Sequence, residues 1–342
     1  FLMKILITGG LGFLGSNLAA KASKAGHHIH IFDNHSRTGA LENKKWLQEN
    51  HPDIEVQLGD VSNFEVAKDS FQKFQPDAVA HLAGQVAMTT SISDPMLDFN
   101  TNALGTVNVL KCILESEKKI PILYSSTNKV YGDLEQFDYA IKGLRYQCLN
   151  FPNGFDESIP LEFHSPYGCS KGAADQYILD FHRIYDIPGI VFRHSSIYGG
   201  RQFSTADQGW IGWFCKQALL IKQGQIDQIE ISGTGNQVRD LLFADDAVSL
   251  YLKAIESSES LKGNAFNIGG GMSNSLSLNE LFVMLEKKLG IDISIKRNEN
   301  RASDQKVFVA NTQKIESYLT WSPKISKDQG IDRMIEWVQS QQ

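Results

Sequence analysis

The feature that most constrains the fold is a glycine loop near the start of the chain, TGGLGFLG, which precedes a stretch with helical spacing at residues 13–26. In the pattern G-x-x-G-x-x-G, Gly9 permits a tight turn, Gly12 lets the backbone approach a pyrophosphate, and Gly15 lets helix and strand pack closely. The N–H groups and the positive dipole end of the helix then face the phosphates. The loop therefore predicts a strand–turn–helix unit that binds a dinucleotide.

Strand and helix patterns alternate through the first half of the chain. Short apolar runs are separated by stretches with helical spacing of about a dozen residues, as in βαβ units. Right-handed crossovers of this kind produce a parallel, doubly wound sheet. The predicted strands are 4–8, 28–32, 55–58, 78–82, 120–125 and 189–194, and the predicted helices are 13–26, 41–49, 66–74, 96–118 and 166–186. We therefore expect an α/β fold of the Rossmann type with a smaller C-terminal lobe that binds the substrate.

The alternation breaks after Tyr131. Residues 132–165 are rich in Gly, Pro, Asn, Asp and aromatic residues, and a long insertion inside a compact domain is usually functional or a lid. Later segments have weak periodicity. We expect the cofactor-binding domain to comprise residues 1–195 plus about 240–272, and the smaller lobe to comprise about 196–239 plus 273–342.

An acidic residue follows the second predicted strand at the position that selects the cofactor. Asp33 lies 18 residues after Gly15, and a carboxylate there accepts hydrogen bonds from a ribose diol and opposes the extra phosphate of NADP. NAD is therefore expected, although Arg37 leaves NADP open. Asp60 and Val61 end the third strand, where an adenine is expected. The alternative role of Asp60 is to cap the following helix.

The strongest chemical signal is the pair Tyr167 and Lys171, which lie four residues apart in a predicted helix and so share one face. A free phenol has a pKa near ~10, and lowering that pKa by ~3 units takes ~4 kcal/mol. A nearby ammonium and a positive nicotinamide ring favour the phenolate. Tyr167 can then take a hydroxyl proton while hydride leaves for the cofactor. Thr127 ends the fifth strand, and we expect its hydroxyl to share the substrate oxygen.

Composition disfavours several classes of protein. The net charge of the 342 residues is −6, which argues against a nucleic-acid surface or attraction to an anionic membrane. No run of about 18 apolar residues is present, so we expect no membrane insertion. The four cysteines are scattered, as in a reducing cytosol, and none belongs to a cluster with metal-ligand spacing. We expect a cytoplasmic protein without a bound metal.

The chain resembles the extended short-chain dehydrogenases/reductases, the family of sugar-nucleotide epimerases and dehydratases. The resemblance covers the whole chain and rests on the glycine loop, Asp33, HLAG at 81–84, SST at 125–127, Tyr167 with Lys171, YGGRQ at 198–202, Arg239-Asp240, and Arg301 with Asp304. It implies a tightly bound NAD that is regenerated in each turnover, a nucleotide-sugar substrate, and a homodimer or homotetramer. The predicted cofactor residues are Gly9, Gly12, Phe13, Leu14, Gly15, Asp33, Asn34, Ser36, Arg37, Asp60, Val61, Leu82, Ala83, Gly84, Ser125, Tyr167 and Lys171.

The resemblance also implies substrate-binding residues. Dehydratases of this family carry an acid pair directly after the strand-end threonine, because eliminating water requires an acid and a base. Those positions are Asn128 and Lys129 here, so dehydration is disfavoured, and both side chains are expected to bind a sugar hydroxyl or ketone. Arg239 and Arg301 match family positions that clamp the diphosphate. The candidate sugar-pocket residues are Gln85, Thr89, His164, His194, Ser195 and Ser196.

Longer stretches, among them SSTNKVYGDLEQ at 125–136 and FHSPYGCSKGAADQY at 163–177, resemble family members that act at carbon 2 of a CDP-linked deoxysugar. They imply the interconversion of CDP-paratose and CDP-tyvelose through a 2-keto intermediate, within O-antigen and lipopolysaccharide biosynthesis. Two alternatives stay open. One is a 4-epimerase of another nucleotide sugar, of the UDP-hexose type, and the other is a non-enzymatic NAD-binding scaffold.

Overall fold

A computed structural model describes residues 2–301 and 304–341 of the chain. Within those ranges the strands are β1 (Lys4–Thr8), β2 (His28–Asp33), β3 (Glu55–Leu58), β4 (Ala78–His81), β5 (Ile122–Thr127), β6 (Tyr139–Lys142), β7 (Arg145–Cys148), β8 (Gly189–His194), β9 (Ser196–Tyr198), β10 (Ile229–Ser232), β11 (Val238–Phe243), β12 (Asn264–Ile268), β13 (Ser275–Ser277), β14 (Ile295–Asn298) and β15 (Val307–Phe308). The helices are α1 (Phe13–Lys24), α2 (Ala40–Asn50), α3 (Phe64–Phe74), α4 (Met88–Ser93), α5 (Pro95–Phe99), α6 (Gly105–Glu115), α7 (Ser165–Tyr185), α8 (Trp210–Lys222), α9 (Ala244–Glu256), α10 (Ser258–Leu261), α11 (Leu278–Leu289), α12 (Gln313–Tyr318) and α13 (Lys327–Ser340).

The centre of the molecule is a sheet of seven parallel strands in the order β3-β2-β1-β4-β5-β8-β12. β1 lies between β2 and β4, with Ile5 opposite both Ile29 and Ala78. The strand order reverses between β1 and β4, which is the switch point where doubly wound sheets bind ligands. The predicted α/β fold of the Rossmann type is therefore confirmed.

Both faces of this sheet are covered, because side chains alternate between the faces along each strand. Ile5 and Ile7 pack with α1, α2 and α9 on one face, whereas Leu6 packs with α3, α6 and α7 on the other. Burial on both faces explains why the sequence shows continuous apolar runs rather than alternating ones. The carboxyl edge of the sheet remains available to a ligand.

A second apolar core joins α8, α11 and α13 beside a small sheet. In that sheet β11 pairs in parallel with β9 and β15 and antiparallel with β13. Amphipathic periodicity did not predict α8, because this helix is apolar almost all round. α11 and α13 bury it. We retain the two-lobe division as a proposal. Ile315 and Leu319, which that division assigns to the smaller lobe, lie in the core of the large sheet.

Two segments differ from the sequence-based expectation. The helix predicted over 96–118 is interrupted by a π-helical turn, Asn100–Leu104, between α5 and α6. The insertion at 132–165 contains the hairpin β6–β7 and shares a small apolar core with β11 and β15. Within the described ranges, no helix combines the length and apolarity needed to cross a bilayer. Nor do three His, Cys, Asp or Glu side chains of those ranges gather as ligands for a metal.

Candidate active site

A cleft of about 700 Å³ opens at the carboxyl ends of β1, β2, β4 and β5. One wall is built by the sheet and its loops, and the opposite wall is built by residues 194–211. Most of the predicted cofactor residues line this cleft, which places the glycine loop, the acidic strand end and Tyr167, the predicted catalytic residue, in one site. The lining residues among those predictions are Gly9, Gly12, Phe13, Leu14, Gly15, Asp33, Asn34, Ser36, Arg37, Asp60, Val61, Leu82, Ala83, Gly84, Ser125 and Tyr167.

The glycine loop is held by contacts that exclude side chains. Gly9 has a φ of +67°, and a Cβ there would lie 2.6 Å from the backbone nitrogen of Ala83. A Cβ on Gly15 would lie 2.3 Å from the carbonyl oxygen of Gly9. Gly12 is the extended N-cap of α1, and no side chain of the described residues caps that end. The helix terminus therefore keeps N–H groups available for an anion, as a pyrophosphate requires.

Asp33 is buried at the end of β2, and both of its carboxylate oxygens accept backbone hydrogen bonds. Oδ2 accepts from the N–H of Leu11 at 3.0 Å, and Oδ1 accepts from the N–H of His35 at 2.7 Å. A carboxylate has about four acceptor sites, so capacity for a ribose diol remains. Arg37 faces Asp33, but burial lowers the pKa of its guanidinium from the ordinary value.

Asp60 lies beside this end of the cleft and is held by neighbouring donors. Its carboxylate accepts from the amide of Asn34 at 2.8 Å and from the hydroxyl of Ser62 at 2.6 Å. Burial works to raise the pKa of Asp60, but these hydrogen bonds hold it below the ordinary value. The alternative role of Asp60 as a helix cap is wrong, because Asn63 caps α3 and accepts from the N–H of Val66.

The predicted catalytic groups meet near the first turns of α7. The side chains of Thr127 and Tyr167 form a hydrogen bond. The ammonium of Lys171 donates to the backbone oxygen of Ser125 at 2.5 Å and lies 4.4 Å from the centre of the Tyr124 ring. A strand-end hydroxyl, a phenol and a buried ammonium thus line up beside the cleft.

The electrostatics of this trio differ from the expectation. Burial raises the pKa of Tyr167 to about 12, which the hydrogen bond with Thr127 opposes. Burial also lowers the pKa of Lys171 to about 7, although the carboxylates of Asp175 and Asp98 raise it. The pKa of the phenol is therefore not lowered by the protein alone. A positively charged ligand beside the phenol is needed to make it a base near neutral pH.

Four of the predicted sugar-pocket residues line the cleft. His194 Nε2 lies 2.7 Å from the Ser125 hydroxyl, and burial lowers the pKa of His194 to about 4, so the ring is neutral near pH 7. The buried Ser195 hydroxyl lacks a hydrogen-bond partner among the described residues. Ser196 accepts from the indole of Trp210 at 2.9 Å. The side chain of Gln85 is held by hydrogen bonds within the chain.

Three further candidates face away from the cleft or are used in packing. Thr89 is exposed on α4. His164 forms an ion pair with Asp133 at 2.9 Å, and this hydrogen bond raises the pKa of His164. The amide of Asn128 donates to the side-chain oxygen of Gln305 at 2.5 Å and is buried. His164 and Asn128 thus make structural contacts, and the role of all three side chains in binding a sugar stays a prediction.

The two predicted diphosphate arginines make different contacts. Arg239 pairs with Asp304 at 2.8 Å. Burial, followed by the charge of Arg239, lowers the pKa of Lys129 to about 8. Arg301 is exposed, and its guanidinium lies 3.4 Å from the backbone oxygen of Ala206. The clamp that these arginines were predicted to form also stays a prediction.

One cleft residue that the predictions missed is Arg201. Its guanidinium lies 4.8 Å from the ring centre of Trp46 on α2 and 4.1 Å from that of Trp337 on α13. Phe203 packs edge-on against Trp337 and approaches Gly39, where a Cβ would lie 2.1 Å from its ring. The sequence signal for Arg201 is the stretch YGGRQ at 198–202, which is part of the family resemblance. These contacts fix the loop that forms the far wall of the cleft.

The chain is similar to known proteins over nearly its whole length. The family model of GDP-mannose 4,6 dehydratase matches residues 6–334. The chain is 52% identical over 338 residues to the CDP-paratose 2-epimerase of Salmonella typhi, covering 99% of this chain and 100% of that protein. The structure of a UDP-glucose 4-epimerase with UDP-glucose from Thermotoga maritima is 28% identical, with a TM-score of 0.83 and coverage of 99% of each chain. That of a dTDP-glucose 4,6-dehydratase from Bacillus anthracis in complex with NAD is 26% identical, with a TM-score of 0.81 and coverage of 99% of this chain and 97% of the other.

Proposed function

Because the chain belongs to the family described by the GDP-mannose 4,6 dehydratase model, within the extended short-chain dehydrogenases/reductases, we propose that it is an NAD-dependent isomerase that inverts carbon 2 of a CDP-linked deoxysugar. The observation that carries this proposal is the 52% identity to a CDP-paratose 2-epimerase over 99% of the chain. The proposed reaction interconverts CDP-paratose and CDP-tyvelose.

The residues of the cleft fit NAD. The glycine loop admits a pyrophosphate at the uncapped N-terminus of α1, and Asp33 is placed to accept hydrogen bonds from a ribose. When bound, NAD accepts a hydride from a sugar carbon and returns it to that carbon. A solved relative that is 26% identical was crystallised with NAD. The same Asp33 disfavours the additional phosphate of NADP.

The protein contributes proton transfer and orientation. Tyr167 takes the proton of the sugar hydroxyl and later returns it to the same oxygen. The hydrogen bond between Thr127 and the phenol oxygen stabilises the phenolate and orients it toward the cleft. Lys171 is held by the carbonyl of Ser125 and supplies positive charge behind the phenol. Between the two proton transfers the sugar turns over, so that opposite faces of carbon 2 are presented in turn.

Inversion requires a fixed nucleotide and a mobile sugar, because remote binding energy must keep the reacting carbon in the cleft. We propose that Arg239 and Arg301 hold the diphosphate, with Arg239 exchanging its contact with Asp304 for a phosphate oxygen. His194, Ser195 and Ser196 line the cleft next to Tyr167 and are the proposed sugar contacts. The unpartnered hydroxyl of Ser195 supports this placement, because a ligand oxygen would satisfy it.

The residues after Thr127 argue against dehydration, although the matching family model carries the name of a dehydratase. Asn128 and Lys129 occupy the positions of the acid pair that the resemblance assigns to dehydratases. The amide of Asn128 cannot act as a general acid or a general base, and it is held by a hydrogen bond to Gln305. Lys129 is a buried amine whose pKa is about 8. Elimination of water therefore lacks its carboxylates.

The assembly and cellular setting are also proposed. Helices α5 and α7 expose large apolar side chains, and an exposed apolar patch often marks a protein–protein interface. Met96 is 62% exposed, Phe99 51% and Ile184 52%. We propose that this face pairs α5 to α7 with a second copy in a homodimer or homotetramer. From the resemblance we also propose a cytoplasmic location and a role in the synthesis of O-antigen lipopolysaccharide.

Product analysis tests the function directly. The purified chain is incubated with CDP-paratose without added NAD, and the sugar H1–H2 coupling is followed by proton NMR, with Tyr167→Phe as the matched inactive control. A change to the coupling of the manno isomer supports the substrate, carbon 2 and a retained NAD together. No change after NAD is supplied would reject the substrate. Inversion of UDP-glucose at carbon 4 under the same conditions would establish the 4-epimerase alternative.

A further inference from the structure

A buried carboxylate that the proposed mechanism does not use lies behind the catalytic pair. Asp98 is on α5 and is 0% exposed. Its Oδ2 accepts a hydrogen bond from the hydroxyl of Ser170, and its Oδ1 accepts from the amides of Gln85 at 2.8 Å and Asn102 at 3.3 Å. Burial raises the pKa of Asp98 above its ordinary value, whereas the hydrogen bonds that these partners donate favour the ionised carboxylate. A buried anion of this kind requires a compensating positive charge nearby.

The network around Asp98 ties together the elements that shape the active site. Gln85 follows the cofactor loop after β4, Asn102 lies in the π-helical turn, and Ser170 lies between the catalytic residues on α7. Asn102 donates to Ser170 at 3.0 Å and to the backbone oxygen of Gln85 at 2.9 Å. The π-turn is what allows one amide to reach these partners, and such turns are frequent at functional sites.

The positive charge that acts on Asp98 is that of Lys171. Lys171 lies near the amide that contacts Asp98, because a Cβ on Gly84 would lie 3.1 Å from Asn102 Oδ1 and 3.6 Å from Lys171 Nζ. Lys171 itself is 4% exposed. In a buried site an opposite charge at short range keeps an ammonium protonated against the cost of desolvation.

We propose that Asp98 is a second buried counter-charge of Lys171, beside Asp175, whose carboxylate is paired with Arg193; Asp98 is then a positioning residue that keeps the ammonium protonated and, through Ser170, holds α7 in register with the cofactor loop. This inference rests on the proposed function, since it concerns the same Tyr167 and Lys171. It explains why a carboxylate is retained in an otherwise closed hydrogen-bond network. An amide in its place would keep most of the contacts but would lose the charge.

Removal of the charge has a signature that differs from loosening of the site. Burial lowers the pKa of Lys171 to about 7, and Asp98 raises it. Without Asp98 the pKa of Lys171 should fall further, whereas admission of water would raise it toward its ordinary value. The other charged and titratable groups that act on Lys171 or Tyr167 from the packed elements are Arg37, His81, Tyr124, Asp175 and His194. They are unchanged in the variants below.

The test is the pH dependence of trace acetylation at Lys171, read by mass spectrometry of its peptide from the purified full chain. In Asp98→Asn the labelling midpoint should fall by about 1 pH unit or more relative to wild type. The matched control is Asp246→Asn, which removes the charge of another buried carboxylate. Asp246 lies on α9 and accepts hydrogen bonds from backbone N–H groups. Its midpoint should equal that of wild type. An unchanged or raised midpoint in Asp98→Asn would overturn the proposal.

Two further measurements keep the inference testable on its own. If Asp98→Asn does not fold, Ser170→Ala replaces it, because loss of the hydroxyl weakens the ionised carboxylate and should lower the Lys171 midpoint in the same direction. An unchanged midpoint in that variant counts against the proposal. In the wild type, the basic limb of the epimerisation rate against pH should coincide with the labelling midpoint and should move with it in Asp98→Asn. A chain that does not epimerise CDP-paratose refutes the proposed function but leaves the labelling result to decide the role of Asp98.

Discussion

NAD binding is expected to lower the pKa of the Tyr167 phenol by several units. In the protein alone, burial raises that pKa to about 12, so only about one phenol in 10⁵ is ionised near pH 7. A positive ring about 4 Å from the phenol oxygen supplies about 4 kcal/mol at an effective dielectric constant of about 20, which is about 3 pH units. The expected pKa with NAD bound is therefore near 9, and the ionised fraction rises about a thousandfold.

The assay is a base titration of the near-ultraviolet absorbance of ionised phenol. The chain has 10 tyrosines, so the signal of Tyr167 is taken as the difference between wild type and Tyr167→Phe. Without NAD the difference should show no ionisation up to about pH 10, whereas saturating NAD should bring a midpoint near about 9. The reasoning is refuted if the phenol titrates at its ordinary value without NAD, or if NAD leaves the midpoint where it was.

Three further variants test the loop, the buried imidazole and the assembly. Gly15→Ala forces a Cβ to within 2.3 Å of a backbone oxygen. The variant should therefore lose NAD on gel filtration, and its free energy of unfolding should fall by about 2 kcal/mol or more. The control Gly143→Ala places its Cβ in open space and should keep NAD. Burial lowers the pKa of His81 to about 3, so the stability linked to its neutral ring is complete above about pH 6.5 and is lost as the pH falls toward 3. His81→Gln should therefore reduce the loss of unfolding free energy between pH 7 and pH 4 by about 3 kcal/mol in denaturant titrations, and an identical loss in both proteins would contradict this. Phe99→Asp should dissociate the proposed oligomer in sedimentation. The control Val283→Asp, at a site 52% exposed on α11, should leave it assembled. Equal sedimentation of the two variants would show that α5 is not part of the interface.

The parts of the fold that depend on local pattern could be predicted from the sequence. The strands β1 and β8 occur where the apolar runs indicated, because strands buried on both faces read as continuous runs. The π-turn at Asn100–Leu104 could not be predicted in this way. It is set by hydrogen bonds from Asn102 to Gln85 and Ser170, which come from distant parts of the chain.

The same distinction between local patterns and contacts of distant segments applies to the candidate site. Glycine spacing, Asp33 and the Tyr167–Lys171 pair are local signals, and the structure brings these residues to one edge of the sheet. Contacts of the smaller lobe depend on how distant loops fold together. Arg201 illustrates this, because its role follows from Trp46 and Trp337, which lie far apart in the sequence. The same limit applies to Asp98, whose importance depends on three partners outside α5.

In the proposed mechanism, hydride leaves carbon 2 and returns to it, while the proton of the oxygen on that carbon passes through Tyr167. The most direct test is to run the epimerisation of CDP-paratose in D₂O to equilibrium and to locate deuterium in the CDP-tyvelose by NMR. The account predicts inverted product with ordinary hydrogen at carbon 2, because hydride carried by bound NAD does not exchange with solvent. Deuterium at carbon 2 would show that the carbon exchanges a proton with water and would contradict the mechanism.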